Sequence, residues 1–463
     1  MKITIIGAGS REFGPATVRD LLLSERICER QPTVTLMDVA ERELKLTASY
    51  ARDVTKRHEK PVTIEATTEL NRALDGAQVV VMAIARRRYY YWAQDFHLPR
   101  QLGFRQIYGE NGGPGGLFHA LRNMGPTMDI ARAMERHCPD AWLLNFTNPL
   151  TKLCEGLTRL SSIKVVGLCH GVFHGIAQIA QFLECEPHEL ETYACGLNHF
   201  SWFQEVRDRA TGTDLYPRLR ERERQAHWLA RWDEIALSRI LFRVVGLYPS
   251  PGANHIGEYV RWAEEYLASA AIQFFHDPRD GRPWEGGEIP TWVYNLSDRP
   301  HEVPLFPERR LPRLHTNPRL AVDPAAPLEP SGEVTVPIIE GLYCGCRHEI
   351  AAVNVPNGSA IPNLPDDAVV EVPATVDAAG VAARRMQPLP ELAAALLSTQ
   401  ISIHRLLVEA FEHESRDALL QALLLDPTTV SYRAAVDLID LMCERQAEVL
   451  PRLEWQRGPA GRG

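Results

Sequence analysis

Over the first third of the chain, short apolar runs alternate with longer segments whose apolar residues recur every three or four positions. The runs Ile3 to Ile6, Val34 to Met37, Val62 to Glu65, Val79 to Ile84, Trp142 to Phe146 and Val165 to Leu168 predict strands. Their near-continuous apolar character is that of a parallel sheet covered on both faces. Thr17 to Leu23, Glu41 to Lys56 and Thr127 to His137 have helical spacing and enough length to cross back over such a sheet. The pattern therefore predicts a doubly wound, Rossmann-like α/β domain over residues 1–195.

After Gly196 the periodicity changes. Charged helical runs (Arg218 to Arg243) lead into a Pro-rich stretch from Pro278 to Pro330, then strand-like pieces at Val334 to Pro337 and Ala368 to Val372. Leu389 to Glu412 and Ala434 to Leu450 are helical in spacing. This predicts an α+β second domain, residues 196–463, with the last helices packed on its sheet. The Pro-rich stretch is long for a loop and reads as a lid or an oligomer contact.

Composition narrows the function classes. The 463 residues carry 50 Lys plus Arg against 59 Asp plus Glu, a formal net charge of -9, which is no footprint for nucleic acid. The apolar stretch Val79 to Ala85 falls far short of the roughly 20 residues of a membrane span. Met1 and Lys2 run straight into strand-like residues, so no secretory leader is expected. Nine irregularly spaced cysteines suit reduced thiols in a cytoplasm better than a disulfide framework.

The first strand leads into Gly7-Ala8-Gly9-Ser10-Arg11-Glu12-Phe13-Gly14, and a helix follows. Glycines there let backbone amides approach a pyrophosphate, and the helix N-terminus adds its positive end. Gly7, Gly9, Ser10 and Phe13 are therefore candidate cofactor contacts. Asp38 closes the second strand, where an acid accepts hydrogen bonds from a ribose and repels a 2′-phosphate, favouring NAD over NADP. A tight strand-to-helix turn without nucleotide is the bland alternative.

Four further segments are polar and glycine-dense: Tyr108 to Gly116, Asn145 to Pro149, Gly167 to Gly171 and Gly196 to Phe200. A Cys or His in such a place is more often a packed core residue. Cys169 and His199 are nevertheless a suitable donor pair for a divalent transition metal with open positions.

These segments carry a resemblance. The opening Gly-Ala-Gly-Ser turn, Gly-Pro-Gly-Gly with Leu121-Arg122, Asn-x-Thr-Asn-Pro, Gly-Leu-Cys-His and Asn-His occur in the order seen in glycoside hydrolase family 4, as do Asn354 to Asn357, Ile361 to Pro365 and Val370 to Pro373. The chain resembles that family of NAD- and divalent-metal-dependent glycosidases over nearly its full length. The resemblance implies a fold like lactate and malate dehydrogenase, with NAD and Mn²⁺ as cofactors. It implies that Cys169 and His199 hold the metal, that Asn148 meets sugar and nicotinamide, and that Glu110 and Asn198 face the substrate. His170 matches members acting on unphosphorylated sugars and joins the catalytic set. The implied chemistry is transient oxidation at C3 by NAD⁺, loss of the C2 proton, elimination of the aglycone, addition of water and return of the hydride. A homodimer or homotetramer is also implied.

The base is left open. Gly252 to Trp262 resembles the His-x-x-Glu-Tyr pattern of the α-galactosidase and uronidase branch, with His255 expected near metal or substrate and Tyr259 as the alternative base. Stacking of the two on one helical face is the bland reading. Arg86-Arg87-Arg88 follow the fourth strand, and Arg87 is expected on a substrate carboxylate, as in a uronide, or on cofactor phosphate or a subunit interface. Cys344-Gly345-Cys346 with His348 reads as alternate strand positions facing a core, a weak metal signal at best. Two rival functions remain: a sugar or hydroxyacid dehydrogenase that releases NADH, and a catalytically inert nucleotide sensor.

Overall fold

The computed structural model describes residues 1–10, 13–227, 232–263, 265–266 and 327–458. Arg11, Glu12 and residues 278–326 of the Pro-rich stretch lie outside the described residues.

The first half runs β1 (Lys2–Ile6), α1 (Phe13–Leu23), α2 (Glu25–Glu29), β2 (Thr33–Met37), α3 (Glu41–Arg57), β3 (Thr63–Thr67), α4 (Leu70–Leu74), β4 (Val79–Met82), α5 (Arg88–Gln101), α6 (Gly113–His137), β5 (Trp142–Asn145), α7 (Leu150–Leu160), β6 (Lys164–Gly167) and α8 (Gly171–Leu183). The second half follows with β7 (Leu190–Leu197), β8 (Phe200–Asp208), α9 (Tyr216–Gln225), α10 (Trp232–Val245), β9 (Pro249–Ser250), α11 (Ala253–Ile256), α12 (Thr335–Cys344), β10 (His348–Pro356), β11 (Val369–Asp377), β12 (Gly380–Ala383), α13 (Glu391–Glu412), α14 (Arg416–Leu425) and α15 (Tyr432–Arg445).

The strands form one sheet in the order β3-β2-β1-β4-β5-β6-β10-β11-β7-β8-β9, with β12 on β11. The first six are parallel, and their order reverses between β1 and β4. A crevice opens at the carboxyl ends of strands at such a reversal, which is where open α/β sheets bind ligands. Side chains alternate between the two faces. Ile3, Ile5, Leu36 and Val81 pack with α1 and α3, whereas Ile6, Val80, Met82 and Leu143 pack with α4, α6 and α7. Each such side chain contributes about 1.5–3 kcal/mol by leaving water.

The antiparallel second half is joined to this sheet where Asn354 of β10 pairs with Gly167 of β6, and within that half Glu371 of β11 pairs with Gly196 of β7. Those contacts bring the end of β6 and the β7–β8 hairpin turn together. Among the described residues no helix is long and apolar enough to cross a membrane.

Two expectations need correction. Val334 to Pro337 is no strand but the start of α12. Its β-branched composition misleads, while Thr335, Ile338 and Ile339 are buried at helical spacing and Pro337 falls in the first turn, where a missing N–H is harmless. The last helices do not pack solely on the second half's sheet. Leu397 and Ile401 of α13 join the large core beside β11. Ile403 and Leu407, together with α14 and α15, pack against Leu117, Phe118 and Leu121 of α6.

Candidate active site

The β1–α1 turn is built for close backbone approach. Gly7 has φ +84°, and a Cβ on it would lie 2.0 Å from the Ala83 carbonyl oxygen. A Cβ on Gly14 would lie 2.1 Å from the Ala8 carbonyl oxygen. Asp38 accepts from the Gly9 and Ala40 N–H groups, each at 2.8 Å, and Ser10 Oγ accepts from the Phe13 N–H at 3.2 Å. Phe13 packs on Phe146 with ring centroids 4.7 Å apart. The structure thus brings Gly7, Gly9, Ser10, Phe13 and Asp38 to one turn, with α1 starting there and its positive end facing the crevice.

Next to it, Cys169 Sγ lies 3.2 Å from His199 Nε2, and the Gly171 N–H donates to the sulfur at 3.4 Å. His199 occupies the two-residue turn between β7 and β8 with φ +63°, a conformation costly for a residue with a side chain. His255, in α11, packs against it with ring centroids 4.2 Å apart. Ligand atoms of His199, His255 and Glu258 fall within 4.8 Å of one another. His199 Nδ1, His255 Nδ1 and Glu258 Oε2 are buried without hydrogen-bond partners. Orphaned buried donors and acceptors are expensive unless something else satisfies them.

The protonation states suit cation binding. Burial pushes His199 down to about 3 and His255 well below the usual imidazole value, leaving both neutral as ligation needs. Burial, with the Glu371 carboxyl adding to it, pushes the Cys169 thiol up to about 12. Burial and the charge of Glu110 push Glu258 up to about 8. A sulfur, two imidazoles and a carboxylate are a donor set for a borderline divalent ion.

Glu258 also closes the site. Its Oε1 accepts from the N–H groups of Glu110 at 2.7 Å and Asn111 at 3.0 Å. Glu110 is paired with Arg88 at 2.6 Å. Lys152 is fully enclosed in α7, donates to the Asn111 carbonyl and is pushed down to about 8 by burial, in the field of Glu258 and Asp426. Lys152, Asn111, Asn198, Tyr259 and His404 line one small cavity.

The other expected residues are placed as follows. Tyr259 stacks on Phe200 at 4.9 Å, and its phenol is raised well above its usual value by burial and by Glu258. Asn198 donates to Glu371 at 2.9 Å. His170 precedes α8, with Nδ1 3.2 Å from Glu333 Oε1. The Asn148 carbonyl, at a cis bond to Pro149, accepts from Asn123 at 2.8 Å. Arg87 does not converge on these groups. It lies over the Tyr90 ring at 4.2 Å and 3.5 Å from Glu448, with its side chain 63% exposed, so Arg88 is the arginine that reaches the site.

Sequence reasoning passed over Glu258, Lys152 and Glu371. Glu258 stood inside a quoted motif whose roles went to its neighbours. Glu371 is pushed up to about 7 by burial but held by Asn198, Asn354 and Ser201. Lys152 sat on what reads as the wet face of α7. That face is covered in the fold, and Lys152 and Glu155 are buried with Leu153 and Leu157.

Fold and site together define a class: an enzyme whose nucleotide-type crevice adjoins a buried cluster of sulfur, nitrogen and oxygen donors. The profile described as Family 4 glycosyl hydrolase matches residues 2–185, and that of the Family 4 glycosyl hydrolase C-terminal domain matches residues 194–429. The chain belongs to this family and is a glycosidase. It is 33% identical to an α-glucosidase of Erwinia rhapontici over 96% of this chain and 98% of that protein. It is 30% identical to an α-galactosidase of Bacillus subtilis, covering 96% of each. In fold it is similar to the 6-phospho-β-glucosidase of Thermotoga maritima, solved with manganese, NAD⁺ and glucose-6-phosphate, at TM-score 0.73 and 23% identity over 97% of this chain and 99% of that one.

Proposed function

We propose that the protein hydrolyses a small, unphosphorylated, neutral α-hexoside, using NAD⁺ and a divalent ion of the Mn²⁺ type. The observation that carries this reading is the cluster of His199, His255 and Glu258, whose ligand atoms lie within 4.8 Å of one another, with Cys169 Sγ 3.2 Å from His199 Nε2 and with His199 Nδ1, His255 Nδ1 and Glu258 Oε2 buried without hydrogen-bond partners. Two relatives, at 33% and 30% identity, are named for α-glucosidic and α-galactosidic substrates. A division of labour near residue 195 follows, with nucleotide contacts before it and metal ligands drawn from both sides.

When bound, NAD⁺ supplies a hydride acceptor and the divalent ion a Lewis acid. The chain's own residues do the rest. Gly7, Gly9 and Ser10 admit the pyrophosphate, and Asp38 accepts from the ribose hydroxyls. Cys169, His199, His255 and Glu258 hold the ion. Asn148 and Asn198 orient sugar hydroxyls in the crevice, while Glu110, paired with Arg88, faces the ring. With His255 engaged by His199, Tyr259 is the group left to take the C2 proton. Its phenol, raised by burial and by Glu258, shares one small cavity with Lys152 and Asn198.

The pairing of the cationic side chains favours a neutral sugar. Arg88 is neutralised by Glu110, Arg87 points to Glu448, and Lys152 stands between carboxyl groups. The test is a panel of nitrophenyl α-glucoside, α-galactoside, α-galacturonide and 6-phospho-α-glucoside with NAD⁺, Mn²⁺ and reductant. Release of nitrophenol from a neutral hexoside without net NADH is expected. Preference for the uronide or the phosphosugar overturns the substrate reading, and net NADH accumulation overturns the hydrolytic cycle in favour of a dehydrogenase. Tyr259→Phe should lower kcat at least 100-fold with little change in KM, the range general-base catalysis supplies.

A further inference from the structure

The described residues hold a second cluster of ligating atoms, unrelated to the crevice. Glu340 lies in α12, Cys346 in the turn after it, and His348 opens β10. Their ligand atoms all lie within 4.8 Å of one another. The turn forms because Gly345 adopts φ +72°, which reverses the chain at the helix end and returns the Cys346 N–H toward the Glu340 carbonyl at 3.4 Å. Cys344 and Cys346 are therefore not alternate strand positions facing a core: Cys344 ends α12 and Cys346 lies in the turn before β10. Cys346 and His348 are delivered to one point by a helix stop and a strand start.

Three details separate this cluster from a chance ion pair. His348 Nε2 stands 2.9 Å from Glu340 Oε2, yet the atom is buried and makes no hydrogen bond, so the two face each other without the alignment of donor and acceptor. Two ligands on a tetrahedral zinc ion, each about 2.1 Å from it, sit about 3.4 Å apart, so this pair would open by about 0.5 Å to take one. The other carboxylate oxygen of Glu340 accepts from Ser24 Oγ at 2.6 Å, the kind of second contact that fixes a ligating carboxylate. The cluster also lies at the C-terminal end of α12, where the helix presents its negative pole. Cys344 falls outside the group of mutually close ligand atoms; its thiol donates to the Arg26 carbonyl at 3.8 Å, while that of Cys346 lies 3.9 Å from the Cys344 carbonyl.

We infer that Glu340, Cys346 and His348 form a structural site for a zinc-class divalent ion, separate from the cluster at Cys169. The ion would pin the end of α12 to the start of β10 and, through Ser24, to the start of α2. The segment that enters α12 carries Glu333, which touches His170, so this clamp fixes one wall of the active site from outside it.

The experiment uses the full chain carrying Cys169→Ser, which removes the thiolate of the first cluster, and Co²⁺ and Zn²⁺ as probes. The expected result is a thiolate-to-cobalt charge-transfer band in the near ultraviolet, and one Zn²⁺ retained per chain after gel filtration in reductant. Both should be lost when Cys346→Ser is added, and Zn²⁺ should raise the thermal midpoint of Cys169→Ser but not of the double variant. His348→Gln, with circular dichroism as the folding control, should weaken Zn²⁺ binding at least tenfold. Absence of the band in Cys169→Ser, or its persistence after Cys346→Ser, overturns the assignment and leaves a plain Glu340–His348 contact.

Discussion

Glu258 Oε1 accepts from the Glu110 N–H at 2.7 Å, so a carboxyl from the turn after α11 closes the loop that enters α6, while its second oxygen points unpartnered toward His199 and His255. One side chain thus serves two ends, a backbone clamp and a metal-facing oxygen, and the two can be separated.

Glu258→Gln keeps an oxygen to accept from Glu110 and Asn111 but removes the charge. The urea midpoint of the metal-free protein should stay near that of the wild type, while Mn²⁺ affinity, read by isothermal titration, should fall at least tenfold. Unchanged Mn²⁺ affinity would remove Glu258 from the ligand set.

Lys152 gives a pH signature. Its ammonium loses its proton near 8 in the folded chain, against an ordinary value of 10.5. Between those values the unfolded chain binds the extra proton, so stability rises with pH across that window relative to a chain lacking the group. Lys152→Met removes the effect. The wild type should therefore gain about 2 kcal/mol on the variant between pH 7 and pH 9.5 in urea unfolding. Parallel curves for the two proteins would show that the lysine is not depressed.

Arg122 of α6 donates to both oxygens of Asp95, at 3.2 and 2.6 Å, and to Gln446 at 2.7 Å, all buried. Arg122→Met leaves the Asp95 carboxyl enclosed without its counter-charge and should cost about 3–5 kcal/mol. Adding Asp95→Leu should recover much of that loss. A single-variant cost below about 1 kcal/mol would contradict the buried pair.

Gly14→Ala places a methyl group against the Ala8 carbonyl and forces α1 away from β1. NAD⁺ affinity, followed by quenching of intrinsic fluorescence, should drop at least tenfold, because the amides that meet the pyrophosphate move with the helix. Equal affinity in the two proteins would place the nucleotide elsewhere.

The parallel half of the fold was legible because its signal is local. Each strand is a short apolar run between amphipathic segments, and the six expected strands lie where the apolar runs fall. The same reading failed at Val334 to Pro337, where β-branched residues hid a helix whose spacing becomes evident only when Ile338 and Ile339 meet their neighbours. Cys169 and His199 stood out as polar residues in glycine-rich turns, and the structure brings them within 3.2 Å. The arginine run could not be resolved residue by residue: Arg87, the left-handed cap before α5, lies near Glu448, while Arg88, the first residue of the helix, pairs with Glu110.

The sequence by itself determined the nucleotide turn, the parallel sheet and the family, because these rest on short-range periodicity and on motifs in a fixed order. Only the tertiary structure decided which donors share one point. Glu258 meets Glu110 across 148 residues, Asn198 meets Glu371 across 173, and Lys152 is buried because helices from other parts of the chain cover its face. Charge, burial and ligation depend on distances through space, and the chain brings those distances down only when its sheet closes.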